Sequence, residues 1–365
     1  MKILTAIFVT VLVLAVGGFI VNQSLSATEM AQGQQSSHYH NGRFENDQPI
    51  QANTFKTFLK VMARYFTADK TDHEPDVVLP INTLTREQLE ALSDDSFHLV
   101  KLGHSSVLLK VYGEYWLLDP VFSKRASPFS FMGPKRFHPT PISIDELPPI
   151  DKVLISHNHY DHLDKQSIKQ LVGKTRQFLV PMGVEGDLRK WGVAEDDIIS
   201  FDWWQDITTK NALIAFTPSR HFSGRSFSDG NKTLWGSWVI KTGHESVYFS
   251  GDSGYFEGFK KIGQKYGPFD LTLIETGAYD NMWPDVHMLP EQSVQAHIDL
   301  QGKTMIPVHN GTFNLALHTW YEPLERVTQL AAQHDIAIST PVVGDIMQIE
   351  NLVKTEHWWQ AYMPD

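Results

Sequence analysis

From Phe97 onward the chain reads as short apolar runs separated by turn residues. Val107–Val111 and Tyr115–Leu118, on either side of Gly113-Glu114, predict a β-hairpin. Further runs at Val153–Ile155, Phe178–Val180, Leu213–Phe216, Trp238–Lys241, Val247–Phe249, Leu271–Ile274 and Met305–Val308 predict strands. Helical periodicity falls between several of them, at 164–172, 184–191, 255–265, 290–300 and 322–334. Strands and helices alternating in this way make a mixed α/β chain. No composition break follows residue 95, so 96–350 is expected to be one domain and 351–365 a C-terminal tail.

The beginning of the chain has a different pattern. Ile3–Val21 is apolar except for Thr5, Thr10, Gly17 and Gly18, and Lys2 is the one charge in residues 1–27. Such a run is long enough to span a bilayer and long for a cleaved leader. Residues 1–27 are therefore expected to be a signal peptide or an N-terminal membrane anchor. Either would export the remainder of the chain, to the periplasm or to an anchored position outside the cytoplasm. Residues 28–54 are rich in Gln, Ser, Asn and His without apolar periodicity, and read as a tether. An N-terminal helical segment, 55–95, comes next. Phe55, Phe58, Leu59, Met62 and Phe66 recur at helical spacing, with Lys56, Lys60 and Arg64 among them. That helix either packs on the main domain or lies on a membrane surface. A short helix starts at Thr85 and runs to about Leu92.

Composition narrows the chemistry. The chain has 365 residues, 42% of them hydrophobic and 20% charged, with a formal charge of −11. That balance excludes a disordered chain, and the acidic charge excludes wrapping nucleic acid. There is no cysteine, so disulfides, Cys-ligated zinc, Fe–S clusters and thiol nucleophiles are ruled out. There are 17 histidines. A metal held here must be held by His, Asp and Glu.

One segment concentrates those residues. The run Val153-Leu154-Ile155 ends in Ser156-His157-Asn158-His159-Tyr160-Asp161-His162-Leu163-Asp164. The spacing H-x-H-x-D-H is too crowded for one ion, and on a tight turn it can face two. Further ligands should then stand just after other apolar runs. His221, Asp252 and His309 do so. Together they allow His157, His159 and His221 on one metal and Asp161, His162 and His309 on another, with Asp252 bridging.

This ordered set resembles the metallo-β-lactamase fold superfamily. Flanking blocks are similar to N-acylphosphatidylethanolamine phospholipase D and its bacterial relatives. They include Leu102-Gly103-His104-Ser105-Ser106, Asp119-Pro120-Val121-Phe122-Ser123, Met132-Gly133-Pro134-Lys135-Arg136-Phe137 and Leu147-Pro148-Pro149-Ile150-Asp151. Leu234-Trp235-Gly236-Ser237-Trp238, Gly267-Pro268-Phe269-Asp270-Leu271, Gly277-Ala278-Tyr279 and Gly311-Thr312-Phe313 extend the likeness, from about residue 43 to 335. The resemblance implies an αββα sandwich with a dimetal site at one edge of the two sheets. It implies two Zn2+, with Mn or Fe compatible with the same ligands. Asp119 would orient a ligating imidazole, and His287 would stand near the substrate. Asp161, Asp252 and His287 would be the catalytic residues. His104 and His318 also match family positions.

The activity implied is a metal-dependent phosphodiesterase of phospholipase D type. It would hydrolyse N-acyl phosphatidylethanolamine-like glycerophospholipids through a hydroxide shared by two metals. The metal motif alone suits a lactone or β-lactam hydrolase equally well. The partners expected are a phospholipid or other small-molecule ester, a membrane surface and, since dimers occur in the resembling family, a second copy of the chain. Phe129, Phe131 and Met132 are candidate walls for an acyl-chain groove.

Overall fold

The computed structural model describes residues 36–50, 59–61, 63–64, 67–352 and 357–364. The expected leader or anchor at 1–27 lies outside them, as do Phe55, Lys56, Phe58, Met62 and Phe66. Among the described residues, no helix is long and apolar enough to cross a membrane.

A small hairpin comes first, β1 (Tyr39–His40) and β2 (Arg43–Phe44). Helix α1 (Arg86–Glu90) is next, opened by a Thr85/Gln88 capping box that satisfies two otherwise unpaired backbone N–H groups. The first large sheet then runs β3 (Phe97–Gly103), β4 (Ser106–Val111), β5 (Glu114–Leu118), β6 (Ile150–Leu154), β7 (Thr175–Pro181) and β8 (Ile198–Phe201). The second runs β9 (Asp206–Thr208), β10 (Leu213–Thr217), β11 (Ser237–Lys241), β12 (Ser246–Phe249), β13 (Phe269–Glu275), β14 (Gly302–Val308) and β15 (Ala337–Ile338). The chain then returns to the first sheet, where β16 (Ile346–Gln348) pairs antiparallel with β3.

The two sheets repeat one plan. Each begins antiparallel and becomes parallel, from β5 in the first and from β12 in the second. Parallel neighbours need a crossover, which is a helix-free loop between β5 and β6 and carries a helix between the others. Helices α2 (Lys165–Leu171) and α3 (Glu185–Trp191) serve the first sheet. Helices α4 (Gly258–Tyr266), α5 (Pro290–Asp299) and α6 (Glu322–Gln333) serve the second.

Side-chain alternation sets the layers. On β4, Val107, Leu109 and Val111 face the second sheet, where they meet a core that includes Phe216, Trp238, Phe249 and Ile306. Leu108 points the other way, into the cluster under α2 and α3. A third cluster joins the outer face of the second sheet to α4, α5 and α6. Strands buried on both faces read as continuous apolar runs, which is why the pattern exposed them. The result is the expected αββα sandwich.

Three sequence readings change. Residues 36–50, within the expected tether, form a hairpin that puts Phe44 wholly into the inter-sheet core. In the expected C-terminal tail, Trp359 is buried against Leu79, Trp320 and Leu324, and its indole N–H donates to Glu325 Oε1 at 2.5 Å. The β4–β5 turn is centred on Tyr112-Gly113, both at positive φ, one residue earlier than expected.

The helical layer of the second sheet contains a buried imidazole. His297 on α5 is 2% exposed, with Nδ1 2.7 Å from Thr272 Oγ1, and burial pushes its pKa down to about 4. The folded state therefore favours the neutral ring. The stability this contributes is complete above the unfolded value near 6.5 and is lost as pH falls toward 4. Thermal melts of wild type and His297→Asn between pH 7.5 and about 5 should show the wild-type Tm falling relative to the variant. A pH-independent gap would refute this reading.

Candidate metal centre

The seven predicted ligands all stand where strands end, at one edge of the sandwich. His157, His159, Asp161 and His162 occupy the turn between β6 and α2. His221 comes after β10, Asp252 after β12 and His309 after β14. The chain bends sharply at these ends. His104, Asp119 and His309 have φ of 53°, 40° and 64°, in the sparsely populated left-handed region. Gly251 (φ +54°) comes where the sheets nearly touch. A Cβ there would lie 2.6 Å from the Ser156 Cβ, so only glycine lets Asp252 approach the first sheet.

Two donor sets result. In the first, His157 Nε2 and His221 Nε2 lie 2.9 and 3.2 Å from His159 Nδ1, and 3.7 and 3.8 Å from Asp252 Oδ2. In the second, Asp161 Oδ2 is 3.5 Å from His162 Nε2 and 3.2 Å from His309 Nε2. Asp252 faces both, since its Oδ1 is 3.1 Å from His162 Nε2 and its Oδ2 is 3.1 Å from His309 Nε2. Within each set one donor atom from every residue lies within 4.8 Å of the others. The side-chain atoms His162 Nε2, His309 Nε2 and Asp252 Oδ1 are buried without a hydrogen-bond partner. Orphaned, converging imidazole and carboxylate atoms fit divalent cations.

The far sides of the rings are held. Asp119 accepts from His162 Nδ1 at 2.7 Å, from the Ser156 N–H at 2.7 Å and from the Ser156 hydroxyl at 2.5 Å. The same hydroxyl oxygen is 2.9 Å from His157 Nδ1. His221 Nδ1–H donates to the Val286 carbonyl at 2.9 Å. These bonds fix each tautomer and aim Nε2 at the site.

Charge divides the two sets. Burial, with the neighbouring imidazoles, pushes His157 and His221 well below their ordinary value and His159 down to about 4. The first set is thus neutral and offers lone pairs. His162 and His309 are also penalised by burial, but Asp252 and Asp161 more than reverse it, raising His162 strongly and His309 to about 10. Burial alone would raise Asp161 and Asp252, yet the imidazoles hold both well below the carboxylate range.

Sequence reasoning missed Glu275 and Arg225, and found His104 only as a family position. Glu275, at the end of β13, is fully buried, accepts from His287 Nδ1 at 2.9 Å and from the Met288 N–H at 2.7 Å, and so orients His287. His104 Nε2–H donates to Asp161 Oδ2 at 3.0 Å, setting that ligand's position from behind. Arg225 stacks over Tyr160 and donates to the Asn158 and Leu163 carbonyls, both at 2.7 Å, clasping the ligand turn. Short sequence spacing could not bring these together, because Glu275 and His104 come from different strand ends and Arg225 from the loop after β10. His318 has another use, since its Nε2 accepts from the Ala278 N–H at 3.1 Å.

Comparison with known proteins agrees with this geometry. A family profile described as a beta-lactamase superfamily domain matches residues 115–310. An uncharacterized protein of Mycobacterium tuberculosis is 39% identical over 342 residues, 92% of this chain and 90% of its own. The N-acyl-phosphatidylethanolamine-hydrolyzing phospholipase D 1 of Caenorhabditis elegans is 32% identical over 288 residues, 75% of this chain and 80% of its own. The chain belongs to the metallo-β-lactamase fold superfamily, in its N-acylphosphatidylethanolamine phospholipase D-like branch. Among solved structures, a metallo hydrolase from Ignicoccus hospitalis shares the fold, with a TM-score of 0.53, 21% identity, and coverage of 69% of this chain and 98% of that one. As a member of this superfamily the chain is a metal-dependent hydrolase.

The charge pattern makes metal loading proton-linked. Without a cation, His162 and His309 hold protons at neutral pH, and ligation must displace them. Titrating metal into the chelated protein at pH 7, in buffers of different ionisation enthalpy, should show release of about two protons, with affinity rising with pH. Proton uptake would contradict the assignment.

Proposed function

We propose that this hydrolase is a phosphodiesterase of phospholipase D type, acting with zinc on N-acyl phosphatidylethanolamine-like lipids. The structural observation that carries the reading is a cavity of about 410 Å³, walled in part by Tyr160, which stands between His159 and Asp161 in the chain. Lys124, Arg125, Lys165 and Arg225 line it together with Phe129. On a chain of charge −11, cations gathered with aromatic rings suit a phosphate that carries apolar chains. On the same loops, Phe131 is 76%, Met132 54% and Phe227 104% exposed. Such a rim suits contact with a bilayer. It is a better candidate than the helix expected at 55–66, where Arg64 is already paired with Asp280 at 3.0 Å. The substrate class comes from the nematode relative's activity, to which this chain is similar over most of its length.

When bound, two divalent cations lower the pKa of water and offset the charge developing at phosphorus. The chain's own residues do the rest. Asp252, facing both donor sets, fixes the spacing between them. His159, Asp161 and His287 are the partly exposed members of the site, so substrate enters on their side. The oxygen of water adds to phosphorus as one of its protons passes to the Asp252 carboxylate, and the bond from phosphorus to the amino-alcohol oxygen breaks. His287, with Nδ1 committed to Glu275, presents Nε2 to protonate that leaving oxygen. The products are phosphatidic acid and an N-acylethanolamine.

The purified, zinc-loaded protein should release phosphatidic acid from N-acyl phosphatidylethanolamine in mixed vesicles. Faster turnover of lactones or β-lactams, compared as kcat/KM, would overturn the reading in favour of carbonyl chemistry. Asp161→Asn should lower kcat by about a thousandfold or more, because the ligand's charge is lost where metals must be held close together. Phe131→Ser with Met132→Ser should raise the apparent KM on vesicles and leave turnover of a short-chain, soluble phosphodiester unchanged.

A further inference from the structure

We infer that Asn46, on the N-terminal hairpin, is a positioning residue of the metal centre that holds His221 in place. His221 lies beyond the end of β10, so no ladder bond of that strand fixes its backbone. The Asn46 side chain supplies the missing pairing. Its Nδ2–H donates to the His221 carbonyl at 2.8 Å, and its Oδ1 accepts the His221 N–H at 3.2 Å. Oδ1 also accepts the Trp235 indole N–H at 3.1 Å. One amide thus imitates the strand partner that residue 221 lacks. A carboxylate could accept these bonds and could not donate, and an aliphatic isostere could do neither.

The rest of the hairpin keeps that amide in place. Phe44 is wholly buried in the inter-sheet core, and its N–H donates to the Asn231 carbonyl at 2.7 Å. Arg43 donates to the Gly230 carbonyl. Beside His221, Arg220 donates through its guanidinium to the Pro49 carbonyl at 2.8 Å and pairs with Asp285 at 2.8 Å. The Arg220 N–H donates to the Ser253 hydroxyl at 2.9 Å, next to Asp252. Residues 220 and 221 are gripped between the N-terminal strap and the Asp252 turn. Because His221 completes the first donor set, strap docking and metal binding at that set are linked. Each strengthens the other by the same factor. This rests on the donor set alone and holds whichever ester is hydrolysed.

The test uses the full chain, with Asn46→Ala, Asn46→Asp and, as a control, Arg43→Ala. Zinc is titrated against a chromophoric chelator. Asn46→Ala should weaken one of the two sites by about tenfold, the low end of the range for residues that orient ligands, while the other site holds. Asn46→Asp, which keeps the acceptor and loses the donor, should fall between. In the cobalt-substituted protein only one set of visible bands should change. Zinc should slow proteolysis within the strap of wild type and have little effect on the strap of Asn46→Ala. Equal weakening of both sites, unchanged affinity at both, or a selective loss as large in Arg43→Ala would each overturn the assignment. If Asn46→Ala does not fold, Asn46→Asp decides alone by the same criteria.

Discussion

A carboxylate removed from water needs positive charge and hydrogen bonds close at hand. Asp252 is 2% exposed at the seam between two sheets, and Asp119 and Glu275 are buried beside it. Four imidazoles face Asp252, His162 pairs with Asp119 and His287 with Glu275. That requirement dictates how the sheet edges meet. The Gly236 N–H donates to the Ser156 carbonyl at 3.0 Å, and the Trp238 indole N–H donates to the Ile155 carbonyl at 3.0 Å. These bonds tie β11 of the second sheet to the end of β6 in the first. Gly251 then admits the close approach that Asp252 needs. The packed core determines the distance across which the donors face one another.

The layered fold and the ligands were legible for the same reason. Buried central strands and their crossover helices carry strong local patterns, and the ligands come directly after the strands. Short edge elements carry little signal. β8, β9 and β16 are half-exposed or exposed along most of their length, so no apolar run announces them. The strap reads as a tether because Phe44 is one apolar residue among polar neighbours, and its burial depends wholly on tertiary packing. Glu275, Arg225 and Asn46 were invisible as parts of the site because their partners are distant in sequence, and His104 was found only as a family position. Asp119 was found only through resemblance to a family.

The site divides its labour by burial. His157, His162, His221 and His309 are closed off, while His159, Asp161 and His287 remain partly open. Of the closed members, His162, His157 and His221 are braced from behind by Asp119, Ser156 and Val286 respectively. Next to the ligand turn, which lends it Tyr160, lies a cavity whose cations come from the loop after β5, the first turn of α2 and the loop after β10.

The position of β16 has a consequence for biogenesis. Ile346 pairs with Val100 across nearly the whole length of the domain, and β3 is otherwise an outer strand of its sheet. A chain emerging from its N-terminus exposes that edge until Ile346–Gln348 is made. Pairings this far apart in sequence are slow to form, and an unpaired edge invites association with other chains. The sandwich therefore closes late, once Ile346–Gln348 has followed all the other strands.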